Sequence, residues 1–428
     1  RRARARPGPR CERRSARAKD SHLTAPRPPR PPGTDLGNLR GAVRLAAEAT
    51  VAVASMTQAV HGRIARVATL GQLPARGGPV SGAVYGSVRG IAGLAGRGLD
   101  AALALIPAGD APPPSRPTRD AIVAALNGVL GDHLAASGNP LAIPMTLRSE
   151  GRALDLTRQA LARRLPDARP DLVVLLHGLC MNDAAWTRDG FEPGHALARD
   201  LGFTALHLRY NTGLHVVANG RELAALLQQA VRAWPVPLRR IVLVGHSMGG
   251  LVARSAIHAA PRGPQSWRRR VTDLACLGTP HQGAPMERVG QGVTRLLAAL
   301  PIAAPLAGLG RLRSAGITDL RHGSVLDESA SRAERFAGSR DRRQPLPLPR
   351  GVRCHAIAAS LAERPGDVRD RVVGDGLVPL DSALGRHPDP ARALAFPRER
   401  IHVIRGIGHL DLLADPEVYA TMRRWLAV

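Results

Sequence analysis

The chain predicts an α/β fold: a doubly wound, mostly parallel sheet with an inserted cap, preceded by a helical N-terminal region. Two observations predict it. From about residue 141 onward, short continuous apolar runs alternate with helical segments, the pattern of strands buried on both faces of a parallel sheet. Hydrophobic residues make up 44% of 428, enough for a substantial core and too many for full-length disorder.

The elements follow in order. Residues 1–35 are low-complexity Arg/Pro sequence, expected to be a disordered tail. Residues 36–140 carry three Ala- and Gly-rich helical stretches broken by Pro, the last at 118–136, and read as a helical accessory region. Residues 141–428 form the main domain. It opens with a hairpin over 143–156 that turns at Glu150–Gly151. The apolar runs Leu172–Leu176, Thr204–Leu208, Ile241–Val244, Leu274–Leu277, Val352–Ala358 and Ile401–Ile404 are the expected strands. Helices are expected at 191–200, 218–233, 248–260 and 411–427. A segment at about 286–345 interrupts the alternation and reads as the cap. It opens with Val293, Leu296, Leu297, Leu300 and Ile302, which could line an apolar acyl pocket or lid.

Composition excludes several classes. Four cysteines are too few for a disulfide scaffold, and none forms a C-x-x-C pair. Net charge is +26, and residues 1–30 hold eleven basic groups against two acids. Such a chain attracts polyanions without any specific site. However, aromatics are only 3%, which argues against a base-stacking surface. The arginines gather on no one periodic element and fit the codon bias of a GC-rich genome, so no specific nucleic-acid partner is expected. The apolar stretches at 41–60 and 88–106 both contain charges, so no transmembrane span is expected. The N-terminal helices leave room for peripheral membrane contact. The Arg-rich start runs into Pro-rich sequence rather than an apolar h-region, so no secretory signal is expected and a cytoplasmic location is.

The chemistry is concentrated around Ile241-Val-Leu-Val-Gly245-His246-Ser247-Met248-Gly249-Gly250. A G-x-S-x-G pattern occurs by chance about 0.2 times in a chain of this composition. Its setting is specific: an apolar strand ends at Gly245 and a helix begins at Met248, as a nucleophile elbow requires. Side chains at Gly245 and Gly249 would collide across so tight a turn. Serine needs a base and the base needs an acid. His409 follows a strand and a glycine-rich loop, where catalytic groups of open α/β sheets sit, whereas His402 lies inside the strand. His246 is expected to pack beside the elbow. Asp375, in a Gly-flanked loop, is the expected acid. Asp381 is its rival, placed after Pro379 where it could N-cap a helix. Asp411 is too near His409 in sequence to face its ring. Oxyanion donors are expected from the backbone of Met248 and of Leu179, with Cys180 second to Leu179. Cys180 as a nucleophile is discounted, because nothing in the sequence pairs it with a base.

Four pieces carry a family likeness: Leu176-His-Gly-Leu179, the elbow, Leu277-Gly-Thr-Pro-His281-Gln-Gly283, and Gly374-Asp-Gly-Leu-Val-Pro379 with Gly408-His409. From about 141 onward the chain resembles the α/β-hydrolases, and within them bacterial lipases and GPI inositol-deacylase-like esterases. The order Ser247, Asp375, His409 is theirs. The resemblance implies a serine esterase that cleaves carboxylic esters, with lipids as the expected substrates, through an acyl-enzyme. It implies no cofactor and makes His281 structural. No metal-ligand cluster stands out. Acyltransferase, thioesterase and amidase chemistry use the same three residues, and a non-catalytic hydrolase-like binding protein is the further alternative.

Overall fold

The computed structural model describes residues 117–285, 314–326, 341, 343–366 and 373–427. The tail at 1–35, the helical stretches between 36 and 116, and most of the cap, including Val293, Leu296, Leu297, Leu300 and Ile302, lie outside the described residues.

The described strands are β1 (Thr146–Ser149), β2 (Arg152–Ala153), β3 (Asp171–Leu176), β4 (Thr204–Arg209), β5 (Arg240–His246), β6 (Val271–Leu277), β7 (Arg353–Ser360) and β8 (Ile401–Arg405). They form one sheet in the order β2-β1-β4-β3-β5-β6-β7-β8. Pairing is antiparallel at the β2-β1-β4 edge and parallel from β4 to β8. Leu172 faces Thr204 on one side and Ile241 on the other, so β3 is central. The expected hairpin turns where the sequence places it, with positive φ at Glu150 and Gly151, but its second strand is only two residues long.

Described helices are α1 (Pro117–Ala136), α2 (Arg158–Arg164), α3 (Pro193–Leu201), α4 (Val216–Ala233), α5 (Met248–Ala259), α6 (Ala315–Leu320), α7 (Leu380–Ala383) and α8 (Pro416–Leu426). The helix expected at 411–427 is split. A single 3-10 turn covers Asp411–Leu413, and α8 starts afresh where the Asp415 carboxylate accepts from the Glu417 and Val418 amides. Pro416 at its first position has no N–H to lose.

The apolar runs make two cores because side chains alternate along a strand. Leu172, Val174 and Leu176 join Leu243 and Leu251 on one face. Val173 and Leu175 join Val242 and Val244 on the other. Burying each such side chain stabilises the fold by about 1.5–3 kcal/mol. Helix α1 precedes residue 141, yet Leu126, Val129, Leu130 and Leu134 belong to the first core. Asn127 of α1 is buried; its amide donates to Val123 and Leu141 carbonyls and its oxygen accepts from Ile143 N–H. These bonds hold α1 to the segment that leads into β1. Among the described residues no helix is long and apolar enough to cross a membrane.

Candidate active site

The parallel strands bring their carboxyl ends to one edge of the sheet, and Ser247, Asp375 and His409 lie on the loops there. Ser247 links β5 to α5 with φ 53° and ψ −123°. A non-glycine residue held there costs about 1–3 kcal/mol. The turn is fixed from both sides. The Ser247 amide donates to the Leu277 carbonyl at 2.8 Å. A Cβ on Gly245 would run into the Gly250 backbone, and one on Gly249 into the Leu176 carbonyl oxygen.

Asp375 and His409 lie 34 residues apart and meet at 2.6 Å, His409 Nδ1 donating to Asp375 Oδ2. The other carboxylate oxygen accepts from the Leu377 and Val378 amides at 3.0 and 2.8 Å. The His409 amide donates in turn to the Asp375 carbonyl at 3.0 Å. Backbone and side chain thus tie the two loops together, and the carboxylate is fully buried. Asp381 is elsewhere. The N-cap role expected of it falls to Pro379, because α7 begins two residues earlier than an Asp381 cap would place it, at Leu380. Asp381 lies in the first turn of α7, 48% exposed, with Arg386 at 3.2 Å. Asp411 does not bond to the ring; its Oδ2 accepts from the Gly408 amide and shapes the His409 loop.

The loop after β3 lies against the serine: a Cβ on Gly178 would stand 3.1 Å from Ser247 Cβ. Tyr210 fixes this loop, its hydroxyl donating to the His177 carbonyl at 2.7 Å while its ring stacks on His177 at 4.4 Å. The Cys180 amide donates to the Thr212 hydroxyl at 3.1 Å, so that N–H is already engaged. Among the described residues the Leu179 N–H, on the same loop, has no such bond. Met248, at the first position of α5, has an amide with no intrahelical acceptor. Burial pushes the Cys180 thiol up to about 12, which leaves it neutral and unreactive.

Three histidines around the site are buried and held neutral. Desolvation lowers His177 to about 4. It also lowers His246 well below its ordinary value, with the charge of His409 adding to it. His246 Nε2 donates to the His409 carbonyl at 3.0 Å. His281 is lowered in the same way by burial and by Arg254, whose guanidinium donates to His281 Nδ1 at 3.2 Å. His402 faces Glu417 at 2.7 Å and stands apart.

The sequence reading missed Gly278. Its φ is +56°, and a Cβ there would stand 3.2 Å from both Asp375 Oδ2 and His409 Cε1. Its place, one residue past a strand end, was the available signal. Among the described residues no group of three or more His, Cys, Asp or Glu side chains is placed to hold a metal ion.

Residues 173–335 match the PGAP1-like alpha/beta domain family. No curated protein matches the chain. Among solved structures, the Bacillus licheniformis lipase BlEst2 in mature form is similar at 18% identity and a TM-score of 0.39, over 67% of this chain and 98% of that one. The Staphylococcus hyicus lipase is similar at 12% identity and 0.34, over 60% and 96%. The Pyrococcus furiosus esterase Pf2001 is similar at 14% and 0.34, over 61% and 85%. The sheet order and the strand–serine–helix elbow are those of an α/β-hydrolase fold, and the segment 173–335 is similar to the PGAP1-like alpha/beta domain family.

Proposed function

We propose that the chain hydrolyses carboxylic esters, with lipid-like acyl esters as the substrate class, through Ser247, His409 and Asp375. One observation carries the reading: a serine on a strained strand–helix turn shares one sheet edge with a buried 2.6 Å carboxylate–imidazole pair. Ser247 Oγ attacks the ester carbonyl carbon, and its proton passes to His409 Nε2. Asp375 keeps the other ring nitrogen protonated and stabilises the imidazolium. The oxyanion is held by the Met248 and Leu179 amides, aided by the positive end of α5. Collapse expels the alcohol, which takes the proton from His409 and leaves an acyl-Ser247. Water, deprotonated by the same histidine, then releases the acid and restores the serine. The net reaction consumes one ester and one water and yields one acid and one alcohol.

The fixed surroundings support this chemistry. His246 and His177 stay neutral near pH 7, so they place no competing positive charge beside the base. A lipid-like substrate is supported by the Leu/Ala-rich opening of the cap sequence. A panel of p-nitrophenyl esters from acetate to palmitate tests the reading. Medium and long acyl chains are expected to turn over faster than acetate, with turnover lost in Ser247→Ala. Equal or better turnover of acetate would contradict the lipid-like class, and retained turnover in Ser247→Ala would contradict the mechanism.

A further inference from the structure

At the far end of the sheet from Ser247 lies a cavity of about 670 Å³, a size typical of small-molecule sites. Its rim carries Arg262, Arg268, Arg269 and Arg350, with His258 beside them, and no carboxylate lines it. Elsewhere in the described fold, several arginines are matched with acids. Asp171 holds Arg239 and Arg240, Asp183 holds Arg148 and Arg209, and Asp273 holds Arg353. Around the cavity four guanidinium groups stand together, and among the described residues none of them has an acid partner. The carboxyl end of α5 adds about half a negative charge nearby, far too little to balance them.

The cationic rim is built on fixed backbone. Arg268 and Arg269 sit on a 3-10 turn anchored by fully buried Trp267 and capped by the Ser266 hydroxyl. Gln228 of α4 clamps that turn, accepting from the Trp267 amide at 3.2 Å and donating to the Gln265 carbonyl at 3.1 Å. Gly263 and Gly351 face open space, so the walls leave room for a ligand. Forked guanidinium groups match phosphate oxygens bidentately.

We propose that this cavity binds a small molecule bearing two or more phosphate groups. Its concave shape suits a compact ligand better than a flat bilayer. The exposed large apolar side chains among the described residues, Leu361 and Leu410, lie at the opposite sheet edge, next to His409 in Leu410's case. No Phe, Tyr or Trp lines the cavity, which argues against a base-stacking nucleic-acid site. The site is remote from the serine. Strand β6 starts at Val271 in the cavity wall and ends one residue before Gly278, a separation of about 20 Å.

Thermal unfolding of the full chain with sodium tripolyphosphate at low salt tests this. A ligand at about ten times its Kd should raise Tm by about 3 °C. The rise should vanish in the quadruple variant Arg262→Ala/Arg268→Ala/Arg269→Ala/Arg350→Ala. It should persist in a charge-matched control, Arg152→Ala/Arg163→Ala/Arg398→Ala/Arg424→Ala. Inorganic phosphate at equal concentration should raise Tm less. The basic residues 1–30 are common to all three proteins, so their contribution cancels. No rise in the wild type, equal loss in both variants, or an undiminished rise in the cavity variant would overturn the proposal. So would phosphatidylglycerol vesicles binding through the four cavity arginines while tripolyphosphate has no effect.

Discussion

His246 and His409 are joined through the backbone: His246 Nε2 donates to the His409 carbonyl at 3.0 Å, with ring centroids 4.7 Å apart. The residue before Ser247 thereby holds the loop that carries the proposed base. His246 Nδ1 is buried and has no partner, so the ring has one proton, and that proton is committed to the carbonyl. His246→Ala removes this tether and leaves a buried carbonyl unpaired. We expect kcat to fall about tenfold to a hundredfold with KM little changed, at about 1–3 kcal/mol of stability. Steady-state kinetics of the folded variant check it; an unchanged kcat would show that the loop needs no such support.

Gly278 makes the same point from the opposite side of the dyad. Gly278→Ala meets a positive φ and sets a methyl group 2.7 Å from Leu412 Cδ1 and 3.2 Å from both Asp375 Oδ2 and His409 Cε1. The expected outcome is a loss of about 1–2 kcal/mol in stability. Turnover should drop more than tenfold, because sub-ångström displacement of a base is costly. Denaturant melts and ester kinetics separate the two effects.

The aspartates make opposed predictions. Asp375→Asn preserves shape but favours the wrong His409 tautomer, at an expected cost of roughly 10³ to 10⁴ in kcat, about 4 to 5.5 kcal/mol of barrier. Asp381→Asn touches only an exposed pair with Arg386 and should leave both rate and stability nearly unchanged. Reversal of this order in folded proteins would move the acid to Asp381.

Stability should fall on acidification as the buried histidines come into play. His177 is lowered to about 4, against an unfolded value near 6.5. Above that value both states are neutral and the histidine contributes nothing. As pH falls below it, the unfolded chain binds a proton that the folded chain refuses, so unfolding is favoured. At pH 5 this amounts to about 2 kcal/mol for His177. His246 and His281 act in the same direction. Tm measured from pH 7.5 to 5 should therefore decline, and less steeply in His177→Phe; a flat profile would mean that these rings charge in the folded state.

Much of this was legible because its causes are local. Strands β3, β5 and β6 are apolar along nearly their whole length because both faces are covered, and the elbow announces itself in five consecutive residues. Gly-flanked Asp375 and His409 were readable as loop residues after strands. Their 2.6 Å contact spans 34 positions and has no periodic signature. The His246 tether spans 163 positions, and the engagement of the Cys180 amide by Thr212 spans 32. Such bonds depend on where whole loops come to rest. The same holds for α1: its residues read as a generic small-residue helix, whereas Asn127 bonding to Leu141 and Ile143, Asn211 donating to the Gly131 carbonyl and Arg209 pairing with Asp120 tie it to the domain. Asp381 misled because Pro379 was taken as lying before the cap, whereas it is the cap itself.

Fluorophosphonate labelling with peptide mapping tests the central claim, that Ser247 is the activated nucleophile, most directly. One adduct is expected, on the peptide holding Ser247, formed in the wild type, absent in Ser247→Ala and strongly slowed in His409→Ala. An adduct on any other residue, or labelling that survives Ser247→Ala, would contradict it.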